Sequence, residues 1–572
     1  MKDSLRAICV EPVHTIRDVM QLISDAALHG APTGIALVVD DEDRLKGVIT
    51  DGDLRRALVA GRSVDDPGVE IMVSNPITVP PGMTADQMLL HMTEKVSSSG
   101  RIRDVKVEFL IVADEQERVI DVLHTVELLI QADISRWPVG VVGLGFVGLT
   151  LAVTLADVGF EVHGVDHDSE AVDGVAAGRP RFYERGLEPL LEHQLADNRL
   201  QVHSSLPAYL SIFVIAVGTP VDADGVPLLD NIRDAAASVA SVLAPGSLVV
   251  LRSTLPVGAT RAVVLPILEE GSGLTCGRDF HLVFAPERTV EGNALKELRM
   301  LPQIVGGFDK RSEEVGARFF GKFAPNIVRV SGLEAAEMVK LINNAFRDVS
   351  FAFSNELATI CDLWNLDAVG VIEAANMGYP RDKIPVPSPG VGGLCLVKDP
   401  LIYAWAGREK GYEPALPVHG RRINAGMVNL VARKVLAFFE RHGLSPEGRK
   451  IFIMGFAFKG TPETSDMRFS PTLDLLPLLR EARVSLYGHD PIVPGREIAA
   501  LDIVSVGVED GFAEADAVIV MNNNPGFADL DLASLLPRMH RPGLVFDGWH
   551  VLSRHEVNGF EGIEYEGISG AL

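Results

Sequence analysis

The chain is poor in cysteine. It holds four in 572 residues, Cys9, Cys276, Cys361 and Cys395, widely scattered and with no CxxC pair. That spacing excludes a disulfide framework and a thiolate metal site, and it predicts a reducing compartment, the cytoplasm. No run of 18 uncharged apolar residues occurs, so no membrane-spanning helix is expected. The opening stretch MKDSLRAICVEP lacks the apolar core of a signal peptide, so no export is expected. Positive charge is also scarce, with 52 Lys and Arg against 77 Asp and Glu, a net charge of -25. This balance argues against nucleic acid as a partner and offers no basic face to an anionic membrane, while serving solubility. What the chain has is apolar content, 47%, and length for three or four domains.

One stretch concentrates chemistry: Gly390–Pro400, GVGGLCLVKDP. It sets Cys395 in a glycine-rich loop ahead of a helix start, with Asp399 expected as N-cap, Pro400 at the first helical position and Gly411 as the stop. A thiol beside a helix N-terminus and Lys398 is expected to have a lowered pKa. Taken alone, a single cytosolic Cys is more often a small buried hydrophobe.

Residues 1–133 contain a diverged repeat. ALVVDDEDRLKGVITDGDL (Ala36–Leu54) echoes FLIVADEQERVIDVLHTVEL (Phe109–Leu128), each a strand, an acidic turn, a strand and a helix start. Repeats this short stack to bury a shared core. The segment resembles a tandem pair of CBS domains. The resemblance implies an adenine-nucleotide site (AMP, ADP or ATP) in the first copy, with Gly47, Thr50 on phosphate and Asp53 on ribose hydroxyls. The second copy departs, with Asp121, His124 and Glu127 in those places. A purely structural or dimerising module is the alternative, with Thr50 a helix N-cap.

Residues 134–330 open with strand Val139–Val142, then Gly143-x-Gly145-x-x-Gly148 and a helix to about Val158. A second strand, Glu161–Val165, ends at Asp166, 18 residues after Gly148. This is the dinucleotide fingerprint in its strand–turn–helix–strand context, and Asp166 on the ribose diol favours NAD over NADP. Strands expected at Ile212–Val217, Leu248–Leu251 and His281–Phe284 each run into a loop that should face the cofactor: GTP (Gly218–Pro220), STLPVG (Ser253–Gly258) and APERTVEG (Ala285–Gly292). These supply Thr219, Thr254, Glu287 and Glu291. Singly, each threonine reads as a turn or cap residue; their succession after strands raises them.

Residues 331–440 begin with a capping-box sequence, Ser331-Gly332-Leu333-Glu334, and a long apolar helical stretch. Lys340 and Asn344 share one face of it. Lys340 is expected to be partly buried with an anion near it, or else to snorkel. A helix this long and apolar predicts a subunit contact. Arg381 precedes the Cys395 loop as a phosphate or partner-chain contact. Residues 441–572 repeat the βαβ alternation without GxGxxG, with the helix Thr472–Glu481 and strands at Val484–Tyr487, Ala517–Met521 and Leu544–Phe546; Lys459 and Arg468 are phosphate-binding candidates.

Residues 137–552 resemble the UDP-glucose/GDP-mannose dehydrogenase family, carried by GLGFVG, VGTP, STLPVG, APERTVEGNAL, KLINNAFRDVSFAFSNELA, GVGGLCLVKDP and GFAFKG. The resemblance implies two doubly wound Rossmann-like α/β domains (134–330 for NAD, 441–572 for the nucleotide sugar) joined by a central helical dimerisation domain (331–440), after an α+β CBS pair (1–133). It implies no metal and a cytoplasmic homodimer or higher homo-oligomer. The implied reaction oxidises a UDP-sugar C6 alcohol to the carboxylate with two NAD, towards polysaccharide precursors.

Within it Cys395 is the nucleophile, Lys340 and Asn344 stabilise the alkoxide and oxyanion, Asp399 moves protons through water near Thr254, and Glu287 is base or water positioner for hydrolysis. Gly143, Gly145, Gly148, Asp166, Thr219, Glu291, Lys398 and Arg468 belong to the cofactor, and Arg381, Lys459, Gly392 and Gly393 to the substrate. Ala171, the longer TPETSDMRFSP, and Trp549 with His550 depart from the family pattern at the nucleotide ends. PER and PSPGVGGLCL resemble the N-acetylhexosamine branch, ranking UDP-N-acetylmannosamine first, UDP-N-acetylglucosamine second and UDP-glucose third. The competing classes are a silent nucleotide or nucleotide-sugar sensor and a two-electron dehydrogenase.

Overall fold

A computed structural model describes residues 2–569 except 12, 84, 86, 89, 90, 93, 94, 96–106, 126, 127, 129–133 and 223. The chain divides into two compact units: Met1–Trp137 with Ala244–Ser247, and the remainder.

Among the described residues, the smaller unit carries two three-stranded sheets. One is β1 (Cys9–Val10), β2 (Ile35–Val39) and β3 (Leu45–Thr50); the other is β4 (Thr78–Val79), β5 (Phe109–Ala113) and β6 (Val119–His124). In both, the first strand is parallel to the second and the second antiparallel to the third. Ile35 pairs with Thr50 as Phe109 pairs with His124, and the register slips at Val38/Val39 as at Val112/Ala113. The acidic turns repeat too. Asp40 Oδ1 accepts from the N–H groups of Glu42 and Arg44, and Asp114 Oδ1 from those of Gln116 and Arg118. The sequence repeat is therefore a structural one. Glu127 lies outside the described residues.

The larger unit begins with an eight-stranded sheet: β7 (Val139–Val142), β8 (Val162–Val165), β9 (Leu200–His203), β10 (Ile212–Ile215), β11 (Leu248–Leu251), β12 (His281–Phe284), β13 (Gln303–Gly307) and β14 (Ile327–Arg329). Their order is β14-β13-β12-β11-β10-β7-β8-β9, with β12–β13 the antiparallel pair. VGVV, IFVI, LVVL and HLVF are buried at every position, as parallel strands covered on both faces must be. The order reverses between β7 and β10, which puts a ligand crevice at their carboxyl ends.

The last sheet holds β15 (Lys450–Met454), β16 (Ser485–His489), β17 (Val504–Ser505), β18 (Ala517–Val520), β19 (Gly543–Asp547) and β20 (Ile563–Gly567). It is parallel throughout, in the order β17-β16-β15-β18-β19-β20, with a second reversal between β15 and β18.

Between the sheets run helices Leu333–Leu363, Ala368–Asn376, Leu394–Arg408 and Ala415–Arg441. The capping box expected at Ser331–Glu334 does not form. Gly332, at φ 113°, is the N-cap, and Glu334 is drawn away by Arg261, whose Nε donates to it at 2.6 Å. The helix expected to be capped by Asp399 starts six residues earlier, with Gly393 as its cap, so Asp399 and Pro400 lie inside it.

One buried group stands apart from any site. His281, at the start of β12, is 1% exposed and both ring nitrogens lack hydrogen-bond partners. Burial pushes its pKa from 6.5 down to about 4, although Asp309 draws it up. As pH falls below 6.5 the unfolded chain takes up the proton first, so stability drains until the folded form also protonates near 4. The melting temperature of wild type should fall more steeply between pH 6.5 and 4 than that of His281→Leu, the difference reaching about 3 kcal/mol. Parallel pH profiles would show that His281 does not titrate on unfolding.

Candidate active site

The cofactor end is built by the loop after β7. Gly143 adopts φ 96°, and a Cβ there would lie 2.9 Å from the Ala216 carbonyl oxygen. A Cβ on Gly148 would lie 1.8 Å from the Gly143 carbonyl oxygen, whereas one on Gly145 would meet open space at the N-cap of helix Phe146–Asp157. Two glycines thus close the turn, and the third leaves room for a phosphate to approach the helix end. Asp166 Oδ2 accepts from the Leu144 N–H at 2.7 Å and Oδ1 from the Asp168 N–H at 3.0 Å, so its carboxylate also braces the loop.

Thr219 is 3% exposed and its hydroxyl has no partner, as a group kept for a ligand would be. These residues fit a dinucleotide. Ala171 is buried, and Arg181 is ion-paired with Asp168 at 2.5 Å.

Thr254 is half-buried. Glu287 is 3% exposed and saturated. Its Oε2 accepts from Arg252 Nη2 at 2.6 Å and Nε at 3.1 Å, and its Oε1 from the N–H groups of Arg288 and Thr289, both at 2.7 Å. Burial pushes the Glu287 pKa up, but Arg252, the Thr289 N–H and Lys340 outweigh it and hold the carboxyl below its ordinary value. Arg252 is itself 1% exposed, donates to Gln303 and Ala285, and lies 5.2 Å from the Phe320 ring centroid. A charged residue closing an apolar strand run, LVVLR, was the sequence signal for it.

The long helix Leu333–Leu363 sends polar side chains to one side at Glu337, Lys340, Asn344, Asp348 and Asn355, spaced by three, four, four and seven residues. Glu337, with no exposure, accepts from the Gly258 N–H at 2.5 Å and the Thr260 N–H at 2.8 Å, fixing the STLPVG loop. Burial raises its pKa to about 7. Lys340 is 8% exposed. Asn344 Nδ2 donates to Asp399 Oδ2 at 2.6 Å, and Lys398 Nζ lies 2.8 Å from Asp399 Oδ1.

Cys395 therefore stands on the first turn of its helix, one turn before Asp399. It is exposed to solvent on one side and crowded by protein on the others. The expectation of a lowered thiol pKa is corrected: loss of water around it raises the pKa, Lys340 opposes, Asp399 adds to the rise, Lys398 opposes, and Glu291 adds. Desolvation is the main cause; Asp399, paired with Lys398, adds a carboxylate of its own. Gly392 and Gly393 are used for close packing. Cβ atoms there would lie 2.3 Å from the Phe469 carbonyl oxygen and 2.6 Å from the Phe458 ring.

Lys459 and Glu291 meet, the Lys459 ammonium donating to the Glu291 carbonyl at 2.6 Å, and Thr464 Oγ1 donating to Glu291 Oε2 at 3.3 Å. Burial lifts Glu291 to about 7 and lowers Lys459 to about 8. Arg468 is ion-paired with Asp466 at 2.7 Å. Arg381 stands outside this cluster, exposed and bonded to Tyr379 Oη at 3.0 Å. Trp549 Nε1 donates to the Met521 carbonyl at 3.0 Å after β18. In the smaller unit, Thr50 and Asp53 form a capping box: Asp53 Oδ2 accepts from Thr50 N and Oγ1, and Oδ1 pairs with Arg56 at 2.5 Å. Among the described residues no cluster of His, Cys, Asp and Glu could hold a metal, and no helix is long and apolar enough to cross a membrane.

The chain belongs to the UDP-glucose/GDP-mannose dehydrogenase family. The family's NAD-binding domain matches residues 137–324, its central domain 334–426 and its UDP-binding domain 452–554, and a CBS domain matches 3–60. The chain is 31% identical over 421 residues to UDP-N-acetyl-D-mannosamine dehydrogenase of Pyrococcus horikoshii, an alignment covering 73% of this chain and 97% of that protein. The solved structure of a UDP-D-ManNAc dehydrogenase from Pyrococcus horikoshii superposes with a TM-score of 0.68 at 30% identity, over 75% of this chain and 99% of that one. A UDP-glucose dehydrogenase from Pyrobaculum islandicum gives 0.67 at 29% identity, over 77% and 99%.

Proposed function

We propose that the chain oxidises the C6 alcohol of a UDP-sugar to the carboxylate in two NAD-dependent steps, with UDP-N-acetylmannosamine the favoured sugar. The observation that carries this reading is the grouping of Cys395 with Lys340 and the Asn344–Asp399–Lys398 chain. NAD, when bound, accepts the hydride of each oxidation. Lys340, buried and cationic, stabilises the alkoxide as the alcohol loses its proton. The Cys395 sulfur then adds to the aldehyde carbon, its thiol proton passes through water beside Asp399 to solvent, and the carbonyl oxygen becomes an alkoxide facing Lys340 and Asn344. This thiohemiacetal is a far better hydride donor than the free aldehyde, and its oxidation leaves a thioester.

Water adds to the thioester carbonyl and the thiolate leaves, taking up the proton that the water gives up. Glu287, saturated and held as an anion, suits a role in orienting that water better than one as the base. Burial raises the Cys395 pKa and Lys340 opposes that rise, so Lys340 is the group that favours the thiolate as the sulfur attacks. The sugar ranking draws on the mannosamine dehydrogenases among the relatives and on PER and PSPGVGGLCL.

The first copy of the N-terminal repeat is read as an adenine-nucleotide site. Asp53 Oδ1 is shared with the exposed Arg56 side chain, so one oxygen can exchange partners. The second copy offers no equivalent, since Asp121 is paired with Lys2 at 2.5 Å and His124 packs on Phe109. The chain is also read as a homodimer through the long helix. Opposite its polar side, Ile342, Phe346, Phe353, Ile360 and Trp364 form an exposed stripe that a second copy would cover.

Wild type is expected to form two NADH per UDP-N-acetylmannosamine, and Cys395→Ser to stall at or before the second. A larger specificity constant for UDP-glucose would reverse the sugar ranking. AMP, ADP or ATP should shift the melting temperature of wild type but not of Asp53→Asn; no shift and unchanged kinetics with all three would remove the regulatory site. Phe346→Asp with Phe353→Asp should convert a sedimenting dimer to monomer, and an unchanged sedimentation coefficient would place the interface elsewhere.

A further inference from the structure

Arg421 takes no part in the chemistry above, yet only 12% of its side chain is exposed and it lies against the cysteine loop. It stands on helix Ala415–Arg441, and its guanidinium bridges two other elements. Nη1 donates to Asp348 Oδ1 at 2.5 Å, and Nη2 donates to the Val391 carbonyl oxygen at 3.1 Å. Asp348 is on the long helix, one turn beyond Asn344; Val391 is four residues before Cys395.

Neighbouring side chains complete the clasp. Asn424 Nδ2 donates to Asp348 Oδ1 at 2.9 Å and to the Asp348 carbonyl at 3.0 Å. Asn355 Nδ2 donates to Asn424 Oδ1 at 2.8 Å, and Asn355 Oδ1 accepts from the Ser388 N–H at 2.8 Å. Ser388 Oγ then donates to the Gly390 carbonyl at 3.0 Å. Asp348, Asn355 and Asn424 are all fully buried.

A buried ion pair stabilises a fold no better than apolar packing of the same volume. What the planar fork does supply is direction, one prong to each of two partners in fixed geometry. Here the partners are the helix that carries Lys340 and Asn344, and the main chain that leads into Cys395. We propose that Arg421 is a positioning residue for the nucleophile: by joining Asp348 to the Val391 carbonyl, it sets where Cys395 stands relative to Lys340 and Asn344. The proposal rests on the reading of Cys395 as nucleophile. It makes a selective claim, because the first oxidation needs no thiol, whereas forming the sulfur–carbon bond before the second one does.

Arg421→Lys keeps a cation for Asp348, but one ammonium cannot span both partners. In single-turnover assays its first NADH should form within about threefold of the wild-type rate and its second about 100-fold slower. The aldehyde should become trappable by hydroxylamine, and the KM for NAD should be unchanged. A wild-type second step, or equal slowing of both steps, overturns the proposal. If Arg421→Lys melts below the assay temperature, Arg421→Gln, whose single amide cannot span both Asp348 and the Val391 carbonyl, is read by the same criteria. Cys395→Ser separates the two levels. If it still forms two NADH, the nucleophile reading fails; if it stalls while Arg421→Lys behaves as wild type, only the positioning role fails.

Discussion

A buried polar seam along one helix is the constraint on which the active-site geometry depends. Glu337, Lys340, Asn344, Asp348 and Asn355 follow one another down the inner side of Leu333–Leu363, and four of the five are at most 8% exposed. Groups of this kind cannot be left unsatisfied in a packed interior, so each either finds a partner or carries a function. Glu337 takes two main-chain N–H groups of the loop after β11. Asn344 takes Asp399, and Asp348 and Asn355 hold the approach to Cys395. Lys340 forms no ion pair among the described residues, and its charge acts on both Glu287 and Cys395. One rigid rod thereby sets the cofactor-facing loop and the thiol loop in a common frame, as pre-organised chemistry requires.

The seam also explains where local sequence rules failed. Asp399-Pro400 reads as a helix start because Asp caps well and Pro suits the first turn. In the folded chain Asn344 and Lys398 occupy both Asp399 oxygens, and the sharp turn at Gly392–Gly393 supplies the start instead. The helix then carries Pro400 in its interior. The start lies six residues earlier, which puts Cys395 on the first turn with Asp399 one turn after it; desolvation there, more than either charge, reverses the expected direction of its pKa.

Features that depend on neighbouring residues were legible. The turn, helix and Asp after β7, the loops after β10, β11 and β12, and the Lys340–Asn344 spacing all lie within short spans with fixed periodicity. The repeated acidic turns at Asp40 and Asp114 belong to the same group. Features joining distant segments were not legible. Arg421 and Asp348 are 73 residues apart, and Arg252 and Glu287 are 35 apart; nothing in either local pattern names the other. The saturation of Glu287 depends on that second pairing, and so does the lowered pKa that bears on its two candidate roles, base or water positioner.

The central claim is that Cys395 carries the sugar between the two oxidations. Wild-type protein mixed with UDP-N-acetylmannosamine and excess NAD, acid-quenched through a single turnover and digested for mass spectrometry, tests it most directly. The account predicts that the peptide containing Cys395 gains the mass of the uronyl nucleotide sugar, as its thioester, with the second NADH and loses it as carboxylate appears. A second NADH formed while that peptide stays unmodified throughout would contradict it.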